Sequence, residues 1–86
     1  MEKTTDSPWF VYVVRCADGA LYTGITNQLQ RRIAKHNSGK GSKSCRAHGL
    51  PVILQWSKQV ADKSAALKME VEIKRMSKDE KEMLVN

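Results

Sequence analysis

The chain has 86 residues, of which 15 are Lys or Arg and 9 are Asp or Glu, so its formal net charge is +6. This length fits one small domain with a thin core, and it excludes a second core, a repeat array or a large cofactor cleft. The hydrophobic fraction of 41% is typical of a globular protein. No apolar run approaches the roughly 20 residues that a membrane-spanning helix needs.

The first eight residues are predicted to form a flexible arm that precedes a single domain over residues 9–86. They include acids and lack the apolar segment of a secretion signal. We therefore predict a cytoplasmic protein in which Cys16 and Cys45 are free thiols. The spacing of these cysteines from the two histidines contains no close ligand pair, which argues against a zinc site.

A β-hairpin is predicted at the start of the domain. Residues 9–16 are rich in β-branched and aromatic types, residues 17–19 are typical of a turn, and residues 20–26 form the returning strand. A helix is predicted over residues 28–37, with Asn27 as its N-cap.

The register of this hairpin decides where its tyrosines point. A two-residue turn at Asp18-Gly19 would place Tyr12 and Tyr22 on opposite faces of the sheet. A three-residue turn over 17–19, with Gly19 at positive φ, would place both tyrosines on one face and Gly24 opposite Tyr12. Turn chemistry allows both, and we favour the three-residue turn because it leaves the other face cleanly apolar.

The remaining elements complete a small α+β fold. Residues 38–49 are rich in Gly, Ser and Lys and predict a basic loop, and residues 52–56 predict a third strand. A helix capped by Asp62 is predicted over residues 63–76, and the Ser-x-x-Glu pattern of residues 77–80 begins a last short helix. The prediction is a three-stranded sheet, formed by the hairpin and the third strand and flanked by helices, in the order β-β-α-β-α-α.

Basic residues are concentrated in one part of the chain, because no Asp or Glu occurs from Gly19 to Ala61. The basic residues of this window are Arg31, Arg32, Lys35, Lys40, Lys43, Arg46 and Lys58. A surface of one sign attracts polyanions, which favours a nucleic-acid partner over a basic surface kept for solubility. The residues predicted to contact nucleic acid are Arg31, Lys35, Lys40, Lys43 and Arg46.

Helical geometry separates the basic residues of the first helix. At about 100° per residue, Arg32 and His36 share a stripe with apolar residues, whereas Arg31 and Lys35 point to solvent. A charged residue on an apolar stripe needs a partner or must reach over the helix edge to water. A structural and a functional role both remain open for Arg32 and His36.

A carboxylate lies among apolar positions of the second long helix. The predicted apolar arc contains Ala66, Met69, Ile73 and Met76 and continues through Leu67 and Val71. Glu70 falls inside this arc, where its charge is costly unless it meets a cation such as Arg32 or a divalent metal. Both partners remain open.

This ordered set of residues resembles the GIY-YIG nuclease superfamily, and within it the small stand-alone YhbQ-like branch. Tyr12 and Tyr22, in Phe10-Val11-Tyr12 and Tyr22-Thr23-Gly24, match the two signature tyrosines. Arg32 matches the arginine of the segment Y-x-G-x-x-x-x-L-x-x-R, His36 matches the position four residues later, and Glu70 matches the metal-binding glutamate. The chain departs from the pattern at Phe10, where the signature has Gly, and at Ile25, where many relatives carry a polar residue.

The resemblance implies an endonuclease that hydrolyses phosphodiester bonds of duplex or branched DNA, in repair or recombination, with one Mg²⁺ or Mn²⁺ held by Glu70. It implies that Tyr12 helps to deprotonate a water, that Tyr22 and His36 orient the site, and that Arg32 binds a phosphate oxygen. Tyrosine ionises near pH 10, so Tyr12 needs cationic neighbours for this role. One alternative is a nucleic-acid-binding module that does not cut, or cuts only with a protein partner. Another is a domain whose basic face binds an acidic protein.

Overall fold

The computed structural model describes residues 8–86, so all of the predicted N-terminal arm except Pro8 lies outside the described residues. Its elements are β1 (Trp9–Arg15), β2 (Leu21–Thr26), α1 (Leu29–Asn37), α2 (Lys43–His48), β3 (Ile53–Val60), α3 (Lys63–Lys74) and α4 (Lys78–Val85). The strands form one antiparallel sheet in the order β2-β1-β3, which confirms the predicted α+β fold. Between residues 8 and 86, no helix combines the length and apolar character needed to cross a membrane.

The β1–β2 hairpin has the three-residue turn that the sequence favours. Gly19 has a φ of 92°, and its amide donates to the carbonyl of Cys16 at 2.9 Å. In the resulting register Tyr12 pairs with Gly24 and Val14 pairs with Tyr22. Both tyrosines therefore lie on the same face of the sheet.

Helices cover both faces of the sheet. Tyr12 and Val14 of β1 pack with Leu29 and Ile33 of α1 on one face. Val11 and Val13 pack on the other face, together with residues of α3 and α4; these include Ala66, Met69, Ile73 and Leu84. The tyrosines and α1 thus share one layer, and α3 lies in the other.

Two segments differ from the prediction. The segment predicted as a basic loop contains the short helix α2, which starts where the hydroxyl of Ser42 accepts from the amide of Ser44 at 3.1 Å. Its six residues are too few to produce a recognisable amphipathic period. Strand β3 extends to Val60 because it pairs along β1 as far as Trp9.

The predicted helix caps and the predicted apolar arc of α3 are only partly observed. Gln28, not Asn27, occupies the cap position of α1, and no side chain caps this helix end. The predicted cap at Asp62 is confirmed, since its carboxylate accepts from the amide of Ala65 at 2.8 Å. The predicted extension of the apolar arc was wrong: Leu67 and Val71 are 44% and 46% exposed, because α3 turns only one narrow face to the sheet.

Candidate active site

The centre of the site is a buried pair formed by Tyr12 of β1 and His36 of α1. The hydroxyl oxygen of Tyr12 lies 2.9 Å from Nε2 of His36. Tyr12 is 1% exposed and His36 is 0% exposed, so neither side chain exchanges this contact for water. Each therefore supplies the hydrogen-bonding partner that a buried polar group requires.

The other ring nitrogen of His36 fixes its tautomer. The backbone amide of Ser42 donates to Nδ1 at 3.4 Å, and an amide can only donate. Nδ1 is therefore unprotonated, and the hydrogen of the neutral imidazole lies on Nε2. His36 consequently donates to the hydroxyl oxygen of Tyr12.

Tyr22 of β2 completes an aromatic cluster with this pair. Its ring centroid lies 5.5 Å from that of His36, edge to face, and 6.4 Å from that of Tyr12. Tyr22 is half-buried, in contrast to the two buried rings. It is thus the member of the cluster that a molecule in solution reaches first.

Arg32 sets the electrostatics of the cluster from one turn before His36. Interaction with the phenols of Tyr12 and Tyr22 raises the pKa of Arg32. Burial raises the pKa of Tyr12 to about 12, although Arg32 acts in the opposite direction. Burial and the charge of Arg32 lower the pKa of His36. At neutral pH Tyr12 is therefore a neutral phenol, His36 is a neutral imidazole, and Arg32 carries a positive charge that no ion pair balances among residues 8–86.

Two glycines make room for the pair. A Cβ on Gly24 would lie 2.5 Å from the hydroxyl oxygen of Tyr12, and a Cβ on Gly41 would lie 2.5 Å from Nδ1 of His36. The register predicted the gap at Gly24. Sequence reasoning missed Gly41 and Ser42, and the only available signal was a second glycine two residues after Gly39 in the predicted loop.

The structure does not join Glu70 to this cluster by any hydrogen bond or ion pair among residues 8–86. Its side chain is 18% exposed and lies 3.4 Å from Nζ of Lys74 on the same helix. Helix α3 packs on the opposite face of the sheet from Tyr12, although it also contacts β2, the strand that carries Tyr22. The shielding predicted for Glu70 is present, and its place in the active site stays a prediction.

The five residues predicted to contact nucleic acid are all exposed. Arg31 and Lys35 lie on the solvent side of α1, as their helical positions predict. Together with Arg32 they line a pocket at the junction of β2 and α1. Lys40, Lys43 and Arg46 lie outside this pocket, in the segment that follows α1 and in α2.

Comparison with known families agrees with this geometry. Residues 8–83 match the model of the GIY-YIG catalytic domain, which covers the whole sheet and nearly all of the helices. The chain therefore belongs to the GIY-YIG family. This family is of the nuclease type, and the two tyrosines that resemble its signature meet in the cluster.

The relatives of this chain include UPF0213 proteins. The chain is 59% identical over 80 residues to a UPF0213 protein of Vibrio cholerae serotype O1, covering 92% of this chain and 78% of that protein. It is 47% identical over 79 residues to the UPF0213 protein YhbQ of Salmonella typhimurium, with the same coverage. The resemblance to the YhbQ-like branch is thus confirmed.

Two solved structures share the fold. The solution NMR structure of a UPF0213 protein from Bacillus halodurans has a TM-score of 0.58 and 42% sequence identity, covering 91% of this chain and 82% of that one. The solution NMR structure of a protein from E. faecalis has a TM-score of 0.61 and 34% identity, covering 96% of this chain and 85% of that one.

Proposed function

We propose that this protein is a divalent-metal-dependent endonuclease that hydrolyses phosphodiester bonds of DNA. The observation that carries the proposal is the cluster of Tyr12, Tyr22, Arg32 and His36, which places one guanidinium, without an ion pair among residues 8–86, beside aromatic hydroxyls. Hydrolysis of a phosphodiester requires an oriented water and stabilisation of the charge that develops on phosphorus-bound oxygens. In this proposal Tyr22 orients the water and Arg32 stabilises the charge. Membership of the nuclease-type family supports this assignment.

The burial of the two tyrosines assigns them different roles within this proposal. The family resemblance assigns water deprotonation to Tyr12, but Tyr12 is 1% exposed and burial raises its pKa to about 12. We therefore assign the contact with the attacking water to the half-buried Tyr22. Tyr12 and His36 then act as positioning residues, since their hydrogen bond fixes both rings behind Tyr22.

Arg32 is suited to bind a non-bridging phosphate oxygen. Its partner Tyr12 is a phenol whose pKa burial raises to about 12, and Arg32 forms no ion pair among residues 8–86, so its positive charge is available to a substrate. Charge-assisted hydrogen bonds from a guanidinium to phosphate are about twice as strong as neutral ones. An Arg32→Ala variant is expected to lose cleavage far more than binding, whereas Arg31→Ala is expected to lose only some binding.

The metal required by this proposal would be held by Glu70. Among residues 8–86 no group of three His, Cys, Asp or Glu side chains comes together, so a site enclosed by protein ligands does not fit. A partly shielded carboxylate with only an exposed lysine beside it does fit Mg²⁺, which commonly binds one or two carboxylates and takes water and phosphate as its other ligands. When bound, such an ion polarises the phosphate and lowers the pKa of its water.

The test is a cleavage assay on duplex, branched, nicked and single-stranded DNA, with Mg²⁺ and with EDTA. The expected result is Mg²⁺-dependent cleavage that is lost in Tyr22→Phe and Arg32→Ala and kept in Lys68→Gln. Lys68 is an exposed residue of α3 and serves as the surface control. Cleavage that persists in both cluster variants would contradict the proposal.

A second function is favoured by the position of Glu70. Its helix packs on the opposite face of the sheet from Tyr12, and no carboxylate contacts the cluster within residues 8–86. This arrangement suits a module that binds nucleic acid and cuts only when a protein partner completes the site. Binding of every DNA substrate without cutting any of them would support this function over the first.

A further inference from the structure

A pocket of about 350 Å³ lies where β2 ends and α1 begins. It is lined by Thr26, Asn27, Gln28, Arg31, Arg32 and Lys35. Of these residues, only Arg32 also belongs to the tyrosine cluster. The pocket is therefore next to the candidate active site and separated from it by one guanidinium.

The charge in this pocket is positive and unbalanced. Half of its lining residues are cations, and none of them forms an ion pair within the described part of the chain. The guanidinium of Arg31 is held by the side-chain oxygen of Gln28 at 3.2 Å, which keeps it over the helix start. Three cations that line one pocket without an acid among its lining residues attract an anion.

The end of helix α1 adds to this preference. Gln28 occupies the cap position, no side chain accepts from the first amides of the nine-residue helix, and its first turn contains no acid. Helix N-termini carry a partial positive charge and point N–H groups toward solvent, which favours a bound phosphate. The cations and the helix end thus favour the same kind of ligand.

We propose that this pocket binds the terminal phosphate of a nucleic-acid strand, at an end or at a nick. A phosphomonoester carries a charge of about −1.5 to −2 at pH 7 and offers three acceptor oxygens. An internal phosphodiester carries only a single negative charge and continues as a chain on both sides. Three cations and an uncapped helix end match the monoester better.

This inference rests on the proposed function and specifies its substrate. Because Arg32 both lines the pocket and contacts Tyr12, a terminal phosphate in the pocket lies close to the tyrosines. The bond that is cut then lies near a phosphorylated strand end. Nicked or end-bearing DNA is therefore the expected substrate class, in preference to continuous duplex.

The test compares nicked duplexes of one sequence that carry a phosphate or a hydroxyl at the nick, on the 5′ side or the 3′ side. Binding is measured in EDTA so that cleavage does not interfere. The expected result is binding at least about tenfold tighter for one of the phosphorylated nicks. Arg31→Gln and Lys35→Gln are expected to abolish this ratio, and Lys68→Gln is expected to keep it. Equal affinity for phosphate and hydroxyl ends would overturn the proposal.

A second measurement uses inorganic phosphate alone. Titration is expected to shift the backbone amide signals of residues 28–32 in the wild type and to leave them unchanged in Arg31→Gln. Shifts that are identical in the two proteins would overturn the pocket. Arg31→Gln and Lys35→Gln both replace exposed side chains, so the amide spectra of these variants are expected to remain those of a folded domain.

The cleavage assay separates this proposal from the endonuclease proposal. Cleavage that is independent of end phosphorylation overturns the terminal-phosphate pocket and leaves the endonuclease intact. A preference for phosphorylated ends without cleavage of any substrate supports the pocket and overturns the endonuclease.

Discussion

Nε2 of His36 lies 2.9 Å from the hydroxyl oxygen of Tyr12, and this contact joins helix α1 to the central strand of the sheet. The two residues are 24 positions apart in the chain, and both are buried. The amide of Ser42 holds the other ring nitrogen, so the segment after α1 also depends on this imidazole. His36 thus connects α1, the central strand β1 and the segment after α1 at the candidate active site.

The buried imidazole is expected to make stability depend on pH. Burial lowers the pKa of His36 below its ordinary value of 6.5. As the pH falls below 6.5, His36 therefore takes up a proton in the unfolded chain more readily than in the folded protein. The unfolding free energy should therefore fall as pH drops below that value, by at most about 1.4 kcal/mol for each pH unit. Urea unfolding between about pH 8 and pH 5.5 measures this slope, above the range where carboxylates titrate.

The control for this experiment is the matched histidine variant. His36→Gln is expected to reduce the pH dependence of the unfolding free energy. His48→Gln, at an exposed position, is expected to leave the contribution of His36 in place. If wild type and His36→Gln lose stability equally on acidification, the imidazole is not held neutral by burial.

The glycines beside the pair give a packing prediction. In Gly24→Ala the new Cβ would lie 2.5 Å from the hydroxyl oxygen and 2.7 Å from Cζ of Tyr12, a buried ring with no room to move. Overpacking of this kind costs about 1–3 kcal/mol. The same range is expected for Gly41→Ala, whose Cβ would also approach the backbone of His36 at 2.9 Å.

Gly39→Ala provides the comparison, because Gly39 has a φ of +84° but no atom within 4 Å of the added Cβ. It isolates the cost of the left-handed conformation, which is about 1–2 kcal/mol. Chemical denaturation of the three variants gives the values. A Gly24→Ala protein as stable as the wild type would mean that Tyr12 does not hold the described position.

The sequence was sufficient for much of this site. Alternation in β1 and β2 and the turn glycine at Gly19 decided which face carries the tyrosines, because a one-residue slip would have exposed the apolar set. The 3.6-residue period of α1 then placed Arg32 and His36 on the side that faces them. These are local patterns, and they were predictable for that reason.

What the sequence did not predict depends on contacts between distant segments. The amide of Ser42 carries no side-chain signature, so its bond to His36 appears only when the segment after α1 folds back. The raised pKa of Tyr12 depends on burial, which a residue type alone does not specify. The contact of Glu70 with Lys74, one turn along its own helix, was likewise not predicted, and the place of Glu70 in the active site stays a prediction.

Binding to DNA is expected to weaken steeply with salt. If about 4–6 phosphates are neutralised, the slope of log K against log salt should be roughly −4 to −5. Fluorescence anisotropy between about 50 and about 200 mM salt measures it. Lys40→Gln and Lys43→Gln should each reduce the slope by about one, whereas Lys68→Gln, outside the acid-free window, should not. An affinity that does not change over this range would exclude a polyanion as the main partner.

Glu70→Gln separates a structural carboxylate from one that waits for a metal. Its one charged contact within residues 8–86 is Lys74 at 3.4 Å, and the lysine is 54% exposed. Ion pairs at this helical spacing contribute about 0.3–0.5 kcal/mol. The substitution should therefore lower the melting temperature by no more than about 4 °C in a domain of this size.

Cleavage should respond very differently, because Gln keeps the shape of Glu70 and removes the charge that a divalent cation requires. Mg²⁺-dependent cleavage is expected to be lost in Glu70→Gln and retained in Glu72→Gln, an exposed acid two residues further along α3. Thermal melting and the cleavage assay are run on the same preparations, so that folding and activity are compared directly. A large fall in melting temperature with cleavage unchanged would make Glu70 a structural residue, and the metal would then have to be held elsewhere.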